Sequence, residues 1–502
     1  MLGSDYVRAV CAARAFATGV DAQHLLAIAE EKVDFYPGSF ARRLDELVPL
    51  IGTKVCDGLA ASARGAGSEG YTAVSRTAPA PLTGLGFLRI GEDGRLYLAS
   101  KAEHYHLSIG HGFPGFRLLE HARHLGIPDA THNNTRGHIT RTLEEELVAA
   151  ASGLTRCQRP ELDRVLAEKD PHVLTRVVNL QTGSLVVEAA LKMVLARFSR
   201  FEPADPKPLY DGKTPVILVV GDYEGGIAAN YHGTTILTQA MRGLWPGLAR
   251  ALESAGSLIV RPVKINDIGD FARVLDEWDT GRTRVAAFFH EIVLMNYGAI
   301  RLEQDYLAKA YALCREHDVP VVADEIQSCL WSPELLMFRE YGLAPDIVPV
   351  GKGFPGGEYP AARLLATPAM DSMQQFGAIV TNGQEEMASL AYLVAIEFAR
   401  ANSRFTRETG EHYEEGLAAL VRRHPSLLAR WEGRRHLASL SFRDGARAAR
   451  FVQILNTGGI DISVQSYKAH CPPGCLTKLP LTMTPDAVDF LLGKMDAALK
   501  TL

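Results

Sequence analysis

The chain has 502 residues, enough for one large domain or two of medium size. Hydrophobic residues make up 47% and charged residues 22%, which allows a sizeable core and excludes extended disorder. The formal net charge of −5 gives no basic face for nucleic acid or an acidic membrane. No apolar run could span a membrane, the N-terminus lacks a secretory pattern, and the scattered cysteines fit neither disulfides nor zinc ligation. We therefore expect a cytoplasmic protein without a metal site.

The first part of the chain predicts helices followed by a small β-hairpin. Residues 20–33 and 40–50 carry apolar side chains at helical spacing, so residues 1–80 are expected to form a helical N-terminal extension. A stretch rich in Gly, Ala and Ser at 60–70 predicts a loop. Residues 87–98 alternate on both sides of an Asp-Gly pair, which is typical of a hairpin.

From about residue 135 onward, helix-length segments alternate with short, almost wholly apolar strands. This pattern predicts an α/β fold with a mainly parallel sheet that helices cover on both faces. The strand candidates are 215–220, 257–261, 285–289, 320–323 and 347–350. From about residue 390 a smaller α+β unit follows, with strands at 437–442 and 461–465.

In a parallel sheet the ligand lies beyond the carboxyl ends of the strands, so the residues that follow each strand are the ones to consider. Asp324 follows one strand, and Lys352, between two glycines, follows the next. Each residue alone has an ordinary alternative, a capping carboxylate for Asp324 and a loop lysine for Lys352. One helix and one strand separate them, so both are expected to face the same crevice.

Two further segments carry polar or aromatic groups in turns. Gly183 and Ser184 lead directly into an apolar-periodic helix, where free backbone N–H groups and a hydroxyl can hold a phosphate. A plain N-cap serine fits that segment equally well. Tyr231, in a loop with His232 and a glycine, can stack on a planar ring or merely pack against its neighbours. An anion cradle, an aromatic, a carboxylate and a lysine in this order fit pyridoxal 5′-phosphate.

The sequence resembles the class III aminotransferases, the ornithine- and 4-aminobutyrate-type enzymes, over about residues 85–500. The matching motifs stand in the family's order: Gly110–Pro114, Thr182–Ser184, Val187–Ala190, Tyr231–Gly233, Ala323–Gln327, Pro345–Ile347 and Gly351–Gly353. The resemblance implies fold type I of the pyridoxal-phosphate-dependent transferases, with a large and a small domain. The expected division is 1–80 for the extension, 81–150 for the first part of the small domain and a linker, 151–390 for the large cofactor-binding domain, and 391–502 for the C-terminal small domain.

The resemblance also implies a role for each matching residue. Lys352 would form the Schiff base with the cofactor and move the proton during catalysis, and Asp324 would pair with the pyridinium nitrogen. The remaining cofactor-binding residues would be Gly183, Ser184, Tyr231, His232 and Gln327. Thr381 matches the threonine that reaches the phosphate from the neighbouring subunit, which implies a homodimer.

Two positions depart from the family's substrate switch. The family often has a second glutamate after the one that matches Glu291, and an arginine far downstream; here Asn296 and Glu432 stand at those positions. Glu291 and Asn296 are nevertheless the candidate substrate residues. A buried carboxylate needs a cationic partner, so glutamate is not supported as the second substrate. Arg434, Arg435 and Lys478 are possible replacements for the missing arginine, although a solvated face is the favoured interpretation of the two arginines.

The leading hypothesis is an aminotransferase that moves an amino group from an amino acid or amine donor to a carbonyl acceptor. The alternative is a lyase, epimerase or aminomutase on the same fold, because these need no second keto-acid substrate. A non-catalytic scaffold is a third hypothesis, but it would have no need of both Asp324 and Lys352.

Overall fold

A computed structural model gives the fold of the chain. It describes residues 1–131, 133–380, 383, 385–465, 468 and 470–502. The helices, in chain order, are Ser4–Thr18 (α1), Ala22–Glu30 (α2), Gly38–Leu47 (α3), Glu69–Val74 (α4), Ala102–Tyr105 (α5), Arg117–His124 (α6), His138–Ala151 (α7), Arg159–Leu166 (α8), Gly183–Leu195 (α9), Ile236–Ala240 (α10), Pro246–Ser254 (α11), Ile268–Trp278 (α12), Gln304–Glu316 (α13), Met337–Glu340 (α14), Gln375–Ala378 (α15), Glu386–Ala401 (α16), Ser403–Arg423 (α17), Gly445–Thr457 (α18) and Pro485–Leu499 (α19). Short 3₁₀ turns occupy Val48–Leu50, Pro114–Phe116, Asn133–Thr135 and Pro368–Met370.

The strands form four sheets. In chain order they are Pro81–Leu85 (β1), Leu88–Gly91 (β2), Leu96–Leu98 (β3), Arg176–Leu180 (β4), Thr214–Val220 (β5), Ile259–Val263 (β6), Thr283–His290 (β7), Val293–Leu294 (β8), Ile300–Arg301 (β9), Val321–Ala323 (β10), Ile347–Val350 (β11), Ala362–Ala366 (β12), Leu428–Arg434 (β13), Leu437–Phe442 (β14), Ser463–Gln465 (β15) and Gly474–Lys478 (β16). Among the described residues, no helix is both long and apolar enough to cross a bilayer.

The large sheet has seven strands in the order β4-β12-β11-β10-β7-β5-β6. The strands from β11 to β6 are parallel, and β12 and β4 are antiparallel to their neighbours. Alternate residues of β5 point to opposite faces: Val216 and Leu218 pack in a cluster with α12, and Ile217 and Val219 pack in one with α9. Helices therefore cover both faces, which confirms the predicted mainly parallel sheet.

All of the strand candidates before residue 351 are strands of this sheet, but two of its members are absent from the sequence analysis. Strand β4 reads Arg-Val-Val-Asn-Leu and begins at the surface, so its apolar run is too short to stand out. Strand β12 reads Ala-Arg-Leu-Leu-Ala, a composition of good helix formers. It is a strand because pairing with β4 and β11 outweighs that local preference.

The C-terminal sheet has the order β13-β14-β16-β15, all antiparallel. Its core includes side chains of α17, α18 and α19 and, from the N-terminal part of the chain, Phe40 and Leu44 of α3. The predicted hairpin is β2 and β3, and β1 adds a third strand to it. An isolated bridge from Leu98 to Ile460 ties this small sheet to the C-terminal unit.

A buried ion network joins the large and small sheets. Glu340, at the end of α14, accepts two hydrogen bonds of 2.8 Å from the guanidinium of Arg435, which lies in the turn between β13 and β14. Only 2% of the Arg435 side chain is exposed. Arg434 also contacts Glu340, at 3.1 Å, and Glu414 of α17, at 3.3 Å. These arginines therefore serve the contact between the two parts of the molecule, and the expectation of a solvated face is wrong for them because carboxylates of α14 and α17 pair with their charges.

Replacing Glu340 by Gln should destabilise the fold. The guanidinium of Arg435 would stay buried and lose its charged partner, which costs about 3 kcal/mol of unfolding free energy. Urea unfolding followed by circular dichroism measures the loss. Glu408→Gln is the matched control, because its pair with Arg404 lies on the exposed surface and should contribute little. Equal midpoints for the two variants would contradict a stabilising role for the network.

Candidate active site

A cavity of about 520 Å³ opens at the carboxyl ends of the parallel strands. That volume suits a small-molecule ligand. Its wall contains these residues from the sequence analysis: Gly183, Ser184, Tyr231, His232, Glu291, Asp324, Gln327 and Lys352. Asn296 is not in the lining, and its buried amide nitrogen has no hydrogen-bond partner in the described part of the chain. Thr381 lies outside the described residues.

Asp324 and Lys352 share the cavity because they end neighbouring strands. Strand β10 pairs in parallel with β11, so their carboxyl ends meet at one edge of the sheet. Lys352 has a φ of 37°, in the left-handed region that side chains avoid. Such backbone conformations cost about 1–3 kcal/mol and cluster at functional sites. The next position, 353, requires a glycine, because a Cβ there would lie 2.3 Å from the indole ring of Trp331.

Asp324 is held by two hydrogen bonds. Its Oδ2 lies 2.7 Å from Nδ1 of His232, and its Oδ1 accepts the backbone N–H of Ile326 at 2.9 Å. Both side chains are almost fully buried. The second ring nitrogen of His232 has no partner among the described residues. The carboxylate is thus fixed in one orientation at the cavity wall, where it can face a cationic ligand atom.

Burial changes the protonation of the two other charged groups in the wall. It lowers the pKa of Lys352, against the opposing effect of the charges on Glu291 and Asp324. It raises the pKa of Glu291 well above the usual range, and the charge of Asp324 raises it further. A lowered lysine pKa makes the neutral, nucleophilic amine more accessible at neutral pH. Lys352 is therefore suited to covalent chemistry with a carbonyl group.

Another part of the cavity wall is built to take an anion. Helix α9 begins at Gly183, and its cap is Thr182, whose side chain accepts the N–H of Leu185 at 3.3 Å. Thr182 is thus the N-cap of the helix, and the hydroxyl of Ser184 is available in the cavity wall. Ser184 Oγ accepts the N–H of Thr234 at 3.0 Å. Gly233, with a φ of 129°, allows this approach, since a Cβ there would lie 3.0 Å from Ser184 Cα.

These residues fit pyridoxal 5′-phosphate. The N-terminus of α9 with the Ser184 hydroxyl can hold a phosphate, Asp324 can pair with a pyridinium nitrogen, and Lys352 can attach to the aldehyde. Within the described part of the chain, Oε1 of Gln327 and Oε2 of Glu291 are buried and have no hydrogen-bond partner. Buried polar atoms are normally satisfied, so these two indicate a missing polar ligand.

Other cavity residues escaped the sequence analysis. His106 and Tyr359 line the cavity, and the hydroxyl of Tyr359 accepts a hydrogen bond of 2.7 Å from Arg123. Burial lowers the pKa of His106. His106 follows the short helix α5 and belongs to no motif, so its sequence carried no signal. The motif histidine, His111, instead contacts Glu103 at 2.9 Å and is absent from the lining.

The possible replacements for the family's arginine are all engaged elsewhere. Arg434 and Arg435 belong to the ion network around Glu340. Lys478 is fully buried, donates to the backbone oxygen of Gln327 at 2.6 Å and lies 3.8 Å from the centre of the Trp331 ring. It supports the loop that carries Gln327. Glu432, at the arginine position itself, pairs with Arg430 at 2.5 Å.

The fold matches solved structures of aminotransferases. One is N-acetylornithine aminotransferase from Stenotrophomonas maltophilia K279a, with a TM-score of 0.63 and 18% identity over 86% of this chain and 98% of that one. Another is adenosylmethionine-8-amino-7-oxononanoate aminotransferase from Methanocaldococcus jannaschii DSM 2661, with a TM-score of 0.67 and 17% identity over 88% and 97%. At these identities the likeness concerns the fold.

Sequence comparison agrees with the fold. Diaminobutyrate–2-oxoglutarate transaminase from Streptomyces coelicolor is 28% identical over 231 residues, which is 45% of this chain and 54% of that protein. The chain thus spans about half the length of the curated relatives it matches. The family model for aminotransferase class III matches residues 137–499. With the lysine, the carboxylate and the anion cradle in one cavity, the chain belongs to the class III aminotransferase family.

Proposed function

We propose that the protein is a pyridoxal-phosphate-dependent aminotransferase that moves an amino group from an amino acid or amine to a carbonyl acceptor. The observation that carries the proposal is the cavity that brings together Lys352 and Asp324, at adjacent strand ends, and the anion cradle of α9. Relatives of this chain are named as transaminases, which favours transamination over the lyase, epimerase or aminomutase alternative.

Seven residues of the wall have a stated task in this proposal. The cofactor supplies a conjugated ring that stabilises negative charge at the substrate Cα. Gly183 and Ser184 hold its phosphate, and Asp324, oriented by His232, keeps the ring nitrogen protonated. Gln327 donates to the phenolic oxygen and Tyr231 packs on the ring face. Nζ of Lys352 attaches the cofactor and then carries the proton that leaves the substrate Cα.

The visible absorbance of the purified protein tests the proposed reaction. The cofactor-loaded protein is mixed with a panel of amines and amino acids in the absence of any keto acid. Loss of the visible band with one donor, and its return on adding a keto acid, would support transamination. A band that shifts but never disappears would favour the alternative reactions, and a protein that takes up no cofactor would overturn the proposal.

Replacing Lys352 by Ala should lower turnover by at least about 1,000-fold, because both the attachment point and the proton carrier are lost. Borohydride reduction adds a second measurement: mass spectrometry should find the cofactor on the peptide that contains Lys352 in the wild type and no covalent cofactor in the variant. Lys169→Ala is the control, since that lysine is exposed and does not line the cavity. Full activity of Lys352→Ala would refute the assignment.

Replacing Asp324 by Asn should lower kcat by about 100-fold or more while the protein still binds the cofactor. The neutral amide cannot stabilise the positive charge on the ring nitrogen. Steady-state kinetics measures kcat, and the visible band reports the bound cofactor. A His232→Phe variant should give a smaller loss in the same direction, because the carboxylate remains but loses its 2.7 Å partner. Unchanged kcat in Asp324→Asn would remove that residue from the mechanism.

We also propose a homodimer in which Thr381 contributes to the partner's site. Large apolar side chains are exposed on and beside α10 and α11, close to Tyr231: Ile236, Leu244, Trp245 and Leu248. Such a patch favours an interface with another copy. Light scattering on the purified protein measures the mass.

Mixing two inactive variants tests the shared site. Lys352→Ala and Thr381→Val subunits are unfolded, mixed and refolded together. If each site takes residues from both subunits, hybrids keep one intact site, and about a quarter of wild-type activity should return with random pairing. The separate variants, refolded alone, are the controls. No gain in the mixture would contradict the contribution of Thr381.

A further inference from the structure

Several cations near the cavity wall could take the place of the family's substrate arginine. Arg434 and Arg435 are held by carboxylates, and Lys478 supports the loop of Gln327. Two other cations lie against Tyr231, a residue of the wall. They are Arg242, which follows α10, and Lys468, which follows β15 near the C-terminal end of the chain.

Lys468 carries a buried ammonium group without an acceptor. Its Nζ is inaccessible to solvent and has no hydrogen-bond partner in the described part of the chain. It lies 5.8 Å from the ring centre of Tyr231 and 5.9 Å from that of Tyr297. Burial, and then the positive charge of Arg242, lowers the pKa of Lys468 to about 8. A buried cation without an acceptor is costly, so this geometry calls for an anion.

Arg242 is the second cation without a carboxylate partner among the described residues. Its guanidinium carbon lies 4.4 Å from the ring centre of Tyr231, and neither an ion pair nor a hydrogen bond engages the guanidinium among the described residues. A guanidinium fork can hold both oxygens of a carboxylate. Glu291, also in the wall, does not cancel this charge, because burial raises its pKa and favours its neutral form.

We propose that Arg242 and Lys468 bind the carboxylate of the substrate, so that the enzyme prefers donors that carry a carboxylate over simple amines. This inference rests on the proposed aminotransferase function and names its substrate class. The two cations come from distant parts of the sequence, one after α10 and one after β15, and both lie against the ring of Tyr231, which lines the cavity. The phosphate cradle of α9 uses other residues of the wall, Gly183 and Ser184.

Matched pairs of donors test this preference. Each pair is an amino acid and the amine that lacks its carboxylate: ornithine and putrescine, 2,4-diaminobutyrate and 1,3-diaminopropane, 4-aminobutyrate and propylamine. The loss of the visible band gives kcat/KM for each donor with the cofactor-loaded protein. The wild type should prefer the acid in at least one pair by about tenfold or more, the effect of one charge-assisted hydrogen bond.

The variants should change the ratio within a pair. Arg242→Gln and Lys468→Met should each lower the acid-to-amine ratio by about tenfold, and Lys468→Arg should restore most of it because the charge returns. Lys169→Met, at an exposed lysine, is the matched control and should keep the ratio. Equal losses for both members of a pair would show a structural role and overturn the proposal, as would a wild type without preference for the acid.

A binding measurement separates this proposal from the proposed function. Calorimetric titration of the cofactor-loaded protein with glutarate needs no turnover. Kd for glutarate should rise by about tenfold in Lys468→Met and in Arg242→Gln, and dimethyl glutarate should not bind. If no donor removes the visible band but glutarate binds through these residues, the transaminase assignment fails and the carboxylate site stands. If donors react and glutarate binding is the same in all variants, the carboxylate site fails alone.

Discussion

The parallel pairing of β10 with β11 is the constraint on which the site depends. It brings the ends of two strands together, so that Asp324 and Lys352, distant in the sequence, face one cavity. The left-handed backbone at Lys352 carries a conformational cost that only a well-packed surrounding can sustain. That packing is the contact between Gly353 and the ring of Trp331, whose indole N–H in turn donates to the backbone of Leu479 in the C-terminal part of the chain. The small unit thereby helps to hold the loop of Lys352.

Burial of charge is the second feature that shapes the site. Lys352, Lys468 and Lys478 all act on Glu291, and burial lowers the pKa of each lysine. Burial thus favours the neutral form of each lysine, and a nearby anion would stabilise the charged form. A cofactor phosphate and a substrate carboxylate would each supply negative charge. The electrostatics therefore favour a site that binds two anionic groups, one at the cradle of α9 and one beside Tyr231.

The local sequence pattern was sufficient to predict the site residues that follow strands. It did not predict those that reach the site through contacts between distant segments. The apolar runs of β5, β7 and β11 stand out clearly from the polar segments beside them. The residues that follow these strands could therefore be identified from the sequence. Strand β12 could not, because its composition favours a helix and only pairing makes it a strand. His106 and Lys468 belong to no motif. They approach the cavity through tertiary contacts that a single sequence does not encode locally.

The C-terminal arginines serve a structural contact. In this chain Arg435 holds Glu340 through two hydrogen bonds, and Arg434 joins Glu340 to Glu414, so their charges are used to dock the small sheet on the large one. Glu432, beside them, pairs with Arg430. Arginines that are paired with carboxylates in this contact are not available to bind the carboxylate of a substrate. Recognition of an acidic substrate must then use cations that the fold leaves without a carboxylate partner, and Arg242 and Lys468, on the ring of Tyr231, meet that requirement.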